Sequence, residues 1–127
     1  MTLSARRWIE QAQYDLETAR AMMTARRWLY VLFCCQQTLE KALKALIVMR
    51  TGEFPPRIHN LARLAETAGL ELSVERGEFM RELSAYYIQT RYPEEIDVLA
   101  DTVTQEAATE ALRKTEETAQ WLFSMTR

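Results

Sequence analysis

Apolar residues recur with a helical period along most of the chain. The first such segment runs from about Ser4 to Arg26, with Ser4 as its expected N-cap. A regular polar stripe lies beside the apolar one, which is typical of an amphipathic helix with one buried face. The apolar stripe consists of Trp8, Ala12, Leu16, Ala19 and Met23.

The second segment, from about Trp28 to Arg50, is more apolar. It opens with WLYVLFCC, which is apolar on all sides, and then takes on a helical period. Such a helix is central to a core or shared between a core and a subunit interface. Glu40 and Lys44 form an i,i+4 pair that we expect on its polar side. Gly52, followed by two prolines, predicts the end of this helix.

Shorter elements follow. The sequence predicts a short helix from about Asn60 to Ala68. A fourth helix begins after the cap residue Ser73 and ends around Thr90 or Arg91, because residues before proline avoid helical backbone. From Tyr92 to Val103 no helical period is visible, so a loop is predicted there. Thr104 is the expected cap of the last helix.

No stretch predicts a strand. We therefore expect an all-α fold, an up-and-down four-helix bundle with one additional short helix. At 127 residues, without repeats or low-complexity segments, the chain is expected to form a single domain over residues 1–127.

The composition of the chain limits the classes of function that it can have. Apolar residues make up 48% of the chain and charged residues 27%, as in ordinary globular proteins. The net charge of −2 gives no bulk attraction for nucleic acid or anionic membrane, so a polyanion would need a local basic pocket. No segment has the apolar length of a signal peptide or a membrane span, and we expect a cytoplasmic protein. Adjacent Cys34 and Cys35 are expected to be reduced and buried.

The chain contains few residues or motifs of the kinds that carry out catalysis. The chain has one histidine, His59, and it lacks a glycine-rich phosphate loop, an acidic metal cluster and a nucleophilic triad. The sequence therefore predicts no metal site, no cofactor and no familiar catalytic centre. His59 is either a turn or cap residue or a polar ligand contact beside Arg57, and Tyr87 is either a core residue or part of a groove.

Arg91 is the most informative polar residue. If the fourth helix reaches it, Leu83, Tyr87 and Arg91 follow each other at i, i+4 and i+8 on one face. The cation would then point toward the bundle, where it needs an acidic partner, a bound anion or a solvent-filled groove. The alternative is a cation that only stabilises the end of a helix.

Four segments together resemble the HEPN family (higher eukaryotes and prokaryotes nucleotide-binding domain). In chain order they are AQYDLETA, FCCQQTLEKALKALI, PPRIHNLARL and YYIQTRYPEE, and they span nearly the whole chain. The resemblance implies a dimerising helical bundle with a groove near the dimer axis. Such domains often accompany a small nucleotidyltransferase in toxin–antitoxin-like pairs. Some members bind nucleotides, and many are metal-independent ribonucleases whose motif is an arginine, a short spacer and a histidine.

Arg91 stands where that arginine would, but no histidine follows it in the chain, and His59 occupies a different position in the family. Arginine cannot exchange a proton near neutral pH, so cleavage of the family's usual kind is not expected. We expect a non-catalytic homodimer that binds a nucleotide or similar anion, or that pairs with a nucleotidyltransferase. The expected ligand contacts are Arg91, Tyr92, Tyr87, His59 and Arg57.

Two alternatives stay open. One is a divergent metal-independent ribonuclease toxin of a toxin–antitoxin pair, in which His59 is recruited across the groove to act with Arg91. The other is an assembly partner only, which packs the WLYVLFCC face and the last helix against another subunit. The apolar surplus of the second helix, beyond what one bundle core uses, favours a dimer in either case.

Overall fold

Six helices and no strand make up the chain in a computed structural model that describes residues 1–127. The predicted all-α fold is confirmed. The prediction of four main helices and one short helix is one helix too few. None of the six combines the length and the apolar character that a membrane span requires. The helices are α1 (Leu3–Thr24), α2 (Trp28–Thr51), α3 (Leu61–Thr67), α4 (Val74–Ser84), α5 (Pro93–Asp101) and α6 (Gln105–Ser124).

α1 is bounded by residues other than those predicted. Thr2, and not Ser4, is its N-cap, since the Thr2 hydroxyl accepts the backbone N–H of Ala5 at 3.1 Å. The helix ends at Thr24, because Arg26 has a left-handed φ of 61° that is incompatible with a right-handed helix. Three alanines, seven residues apart, let α2 approach closely. The buried face consists of Ala5, Ile9, Ala12, Leu16 and Ala19.

α2 is the central helix of the fold. It packs against α1 on one side, against α6 on another, and against α3, α4 and α5 on the rest. As a result, 15 of its 24 residues are buried. The helix ends as predicted at Gly52, whose left-handed φ of 71° places its N–H on the carbonyl of Val48. The apolar run at its start is explained by burial within a single chain.

This burial removes the sequence-based argument for a dimer. Val31 and Leu32 are buried inside the chain, with exposures of 0% and 5%. Trp28 and Leu29 pack against the same core, and Phe33 is half-buried. Most apolar side chains at the start of α2 are therefore buried or partly buried within the chain itself. A dimer needs other support.

The stretch from Ser84 to Asp101 differs most from the prediction. α4 ends at Ser84, and the next residues form tight turns in which Tyr86 N–H donates to the Leu83 carbonyl at 2.9 Å. Pro93 then starts α5 where a loop was expected. Proline suits the first position of a helix, since its missing N–H would have no partner there. The sequence instead predicted that Pro93 ends the preceding helix.

The remaining boundaries agree with the prediction. Asn60, Ser73 and Thr104 cap α3, α4 and α6, each accepting the backbone N–H three residues ahead. Cys34 and Cys35 are buried and unpaired, as expected. Burial raises the pKa of the Cys34 thiol to about 11 and that of Cys35 to about 12, so both are neutral thiols in the folded protein.

Substitutions at two glycines test the backbone conformations described at the end of α2 and inside α4. Gly52 has φ +71° with open space around it, so Gly52→Ala adds strain without a clash and should destabilise the protein by about 1 kcal/mol. Gly77 lies inside α4, where an added Cβ would meet only the flexible end of Arg81. Gly77→Ala should stabilise by about 0.5–1 kcal/mol. Urea midpoints of the two variants should move in opposite directions, and a shift in the same direction would contradict these assignments.

Candidate functional site

A buried carboxylate on α2 organises the polar groups around the predicted site. Glu40 is only 4% exposed, and its Oε1 accepts the Gln36 Nε2–H at 3.0 Å. Its Oε2 lies 3.0 Å from the Lys44 ammonium, which is itself 6% exposed. The expectation that Glu40 and Lys44 form a solvated pair is therefore wrong. They form a buried ion pair, which has to be fully hydrogen-bonded to be tolerated.

His59 completes this network. Its Nδ1 lies 2.9 Å from Glu40 Oε1, and its backbone carbonyl accepts a second hydrogen bond from Gln36 Nε2 at 3.0 Å. The segment that carries His59 is thus tied to α2 through both side chain and main chain. The side chain is 38% exposed, so part of the ring faces solvent. His59 is accordingly a fixed surface group and not a freely rotating turn residue.

Tyr87 covers one face of that imidazole. The two rings are stacked with centroids 3.6 Å apart and an angle of 8° between their planes. Burial, followed by the nearby Glu40 carboxylate, raises the pKa of the Tyr87 phenol, and its hydroxyl donates to Gln89 Oε1 at 3.1 Å. The structure thus brings His59 and Tyr87 together, although they lie 28 positions apart in the chain.

The aromatic surface continues onto α2. Phe33 lies 6.3 Å from Tyr87, and Tyr30 lies 6.4 Å from Phe33 in an edge-to-face arrangement. Tyr30 is half exposed. Four rings therefore follow one another from Tyr30 to His59, but only the last two, Tyr87 and His59, are parallel, since the Phe33 plane is tilted by 56° from that of Tyr87.

Arg91 is not placed as the sequence predicted. Because α4 ends at Ser84, no continuous helix carries Leu83, Tyr87 and Arg91 on one face. The guanidinium instead joins α4 to α5: its Nε donates to the Ala85 carbonyl at 3.2 Å, and its NH1 lies 3.3 Å from Glu95 Oε2. The sequence allowed an acidic partner, a bound anion or a solvent-filled groove for this cation, and the structure provides the acidic partner, Glu95. The Arg91 side chain still keeps about a third of its surface in solvent.

Tyr92 and Arg57 lie at the surface. Tyr92 is 73% exposed, and its backbone N–H donates to Glu95 Oε1 at 3.3 Å, which anchors the start of α5. Arg57 is exposed and takes part in none of the chain's seven ion pairs. Of the five predicted residues, the structure joins His59 to Tyr87 and links Arg91 to Tyr92 through Glu95. Arg57 makes no polar contact with the other four.

Sequence reasoning missed the groups beneath the site. Gln36, Glu40 and Lys44 recur every four residues on α2, and this spacing was the available signal that they share one face. The local pattern could not show that α3 and the preceding segment cover this face. Phe33 was assigned to the general apolar surplus of the helix, and its contact with Tyr87 depends on the turn after α4.

Comparison with known proteins identifies the family of the fold. The sequence model of the HEPN domain matches residues 5–125. The chain belongs to the HEPN family. No curated protein matches it. The HEPN assignment covers α1 to α6, so all the site residues described above lie within the matched domain.

Two solved structures are similar to this HEPN domain. The crystal structure of TT1696 from Thermus thermophilus has a TM-score of 0.80 at 29% identity, and the match covers 97% of this chain and 98% of that one. The crystal structure of ST0689, an archaeal HEPN homologue, has a TM-score of 0.79 at 23% identity, with 99% and 100% covered. The second likeness shows a shared fold.

Substitution of Glu40 tests whether the buried network holds the site together. Glu40→Gln removes the counter-charge of buried Lys44 and should destabilise the protein by about 3 kcal/mol in urea unfolding. A double variant, E40Q/K44M, removes both charges and should recover much of that loss. As a control, Glu95→Gln breaks the more exposed pair with Arg91 and should cost less than about 1 kcal/mol. Equal losses for Glu40→Gln and Glu95→Gln would contradict this account of the network.

Proposed function

We propose that this HEPN domain acts without catalysis, as a homodimer that binds a nucleotide or another phosphate-bearing anion. Pairing with a small nucleotidyltransferase is the second form of the same proposal. The binding surface would consist of the stacked His59 and Tyr87 rings and the nearby chain segments with Arg57, Arg91 and Tyr92. No metal and no cofactor is part of the proposal.

The observation that supports a nucleotide is the His59–Tyr87 stack. The two rings are parallel at 3.6 Å and the His59 side chain is 38% exposed, so a base could stack on the face of His59 that Tyr87 leaves uncovered. Arginine provides the matching group for phosphate, because its planar fork can form two parallel hydrogen bonds. Arg57 precedes His59 by two residues and Arg91 follows Tyr87 by four, so each half of the stack has a cation close to it in the chain.

The proposal excludes catalysis because the chain lacks a pair of groups that could transfer protons at this surface. Cleavage of RNA by general acid–base chemistry calls for groups that exchange protons near neutral pH. His59 is the only histidine of the chain, and one of its two ring nitrogens is already engaged with Glu40. Arg91 cannot take the second role, since a guanidinium does not lose its proton in a protein.

One observation favours the ribonuclease alternative. The carboxylate of Glu40 holds His59 Nδ1 at 2.9 Å, which is the arrangement that orients a histidine for proton transfer through its other nitrogen. The ring is also partly exposed. A toxin of this kind would use His59 as the proton-exchanging group and Arg91 to hold the scissile phosphate.

Calorimetric titration with ATP, GTP and a short RNA tests the binding proposal. Arg91→Ala should weaken binding about tenfold or more, because a charge-assisted hydrogen bond to phosphate is lost. Glu95→Gln provides the sharper test. It removes the carboxylate that competes for Arg91 while keeping an acceptor for the Tyr92 N–H, so it should strengthen binding.

Arg6→Ala is the matched control, since Arg6 is an exposed cation on α1 that forms no ion pair with any residue of the chain. Its affinity should equal that of the wild type. If Arg91 only braces α4 against α5, Glu95→Gln will leave affinity unchanged. Metal-independent cleavage of the RNA that is lost in both His59→Ala and Arg91→Ala would establish the ribonuclease alternative instead.

Sedimentation velocity at micromolar concentration tests the homodimer. The expected species has about twice the chain mass of 14.8 kDa. Support for association comes from the apolar groups left in solvent, among them Phe54 at 95% and Leu3 at 61%, which line one cavity with Trp8. A 14.8 kDa species that binds a nucleotidyltransferase encoded beside this chain would replace the homodimer with the second form of the proposal.

A further inference from the structure

A groove opens between α4 and α6. Both helices pack against α2, but they do not pack closely against each other. Two cavities of about 310 and 410 Å³ lie between them, and both are lined by Phe79, Glu82 and Lys114. The two cavities adjoin at these residues and follow each other along α4 and α6, and together they form the groove.

The groove has the length of a short helix. On the α4 side it runs from Ser73 to Tyr86, and on the α6 side it runs from Thr118 back to Ala107. The two walls are therefore antiparallel. At 1.5 Å per residue the walls extend for about 18 Å, which matches roughly three turns of an α-helix.

Phe79 is the one apolar residue that lines the 310 Å³ cavity, whereas the 410 Å³ cavity has an apolar floor. This floor is formed by core residues that retain a little exposure, namely Leu32 at 5%, Phe79 at 9% and Ala111 at 8%, together with the edge of Tyr86. Leu32 belongs to α2, so the groove reaches down to the central helix. Side chains that entered it would contact the hydrophobic core directly.

The walls carry more negative than positive charge. Five carboxylates line the two cavities against three cations. The cations are already engaged: Arg113 pairs with Glu110 and Glu117, and Arg76 lies 4.1 Å over the Trp121 ring. Lys114 lies 5.6 Å from the Phe79 ring centroid and covers the floor.

The uncompensated charge belongs to α4. Glu75, Glu78 and Glu82 follow each other at i, i+3 and i+7, which places them on one face of the helix. All three line the groove, and none takes part in an ion pair of the chain. An apolar channel with one anionic wall is complementary to an apolar stripe flanked by cations.

We propose that this groove binds an amphipathic helix of a partner protein, with an apolar stripe of about two turns that enters the 410 Å³ cavity and with Lys or Arg along its flanks. The apolar stripe lies on Phe79, Leu83 and Ala111, and the cations pair with the α4 carboxylates. One incoming cation takes the place of Lys114 over the Phe79 ring. The groove shares no residue with the proposed nucleotide surface, so the two proposals can fail independently.

Two synthetic peptides of about 14 residues test the proposal by fluorescence anisotropy. Both carry the same leucine stripe, with lysine on the flanks of one and glutamate on the flanks of the other. The lysine peptide should bind at least about tenfold more tightly, and its affinity should fall with added salt. Glu78→Lys combined with Glu82→Lys should weaken it about tenfold. Glu66→Lys combined with Glu71→Lys is the control of equal net charge outside the groove.

A second variant separates packing from charge. Ala107 is exposed on α6 at one end of the groove, so Ala107→Trp should fold normally and block the lysine peptide. Equal binding of the two peptides would overturn the proposal, as would wild-type affinity in both groove variants. A homodimer that dissociates in Ala107→Trp would also overturn it, because the occupant would then be a second copy of this chain.

Discussion

The burial of most of α2 sets the conditions for the polar groups on its covered faces. Five other helices pack against this helix of 24 residues, yet its buried residues include Gln36, Glu40 and Lys44. These groups satisfy one another and reach outward to His59, so the one histidine of the chain is positioned by a requirement of the core. The proposed binding surface is in this sense the outer end of an internal hydrogen-bond network.

The parts of the fold that follow from local chemistry were predictable. Caps at Ser73 and Thr104 and the glycine at position 52 depend on single residues and their own backbone, and each was correctly assigned. The error between Ser84 and Asp101 came from Pro93, because proline is compatible both with the residue after a helix and with the first residue of the next one. Only packing against the rest of the chain decides between these two cases.

The site was less predictable than the fold. The sequence named His59 and Tyr87 among five expected ligand contacts, but nothing in it indicated that their rings stack on each other. The role expected for Arg91 required a helix to continue past Ser84, so a wrong boundary produced a wrong direction for the side chain. Glu40 was missed because sequence periodicity assigns charged residues to the surface, whereas the face of α2 that carries Glu40 is covered by the rest of the fold.

α5 has a consequence for dynamics. None of its residues is buried, and polar contacts tie it down near both ends, Arg91 with Glu95 at its start and Tyr86 with Thr102 just after it. A segment held in this way opens at a far lower free energy than the core. Amide hydrogen exchange in α5 should therefore be fast while α2 stays protected. Each opening separates Glu95 from Arg91. The positive charge that Arg91 can offer to a ligand is therefore governed by a local folding equilibrium.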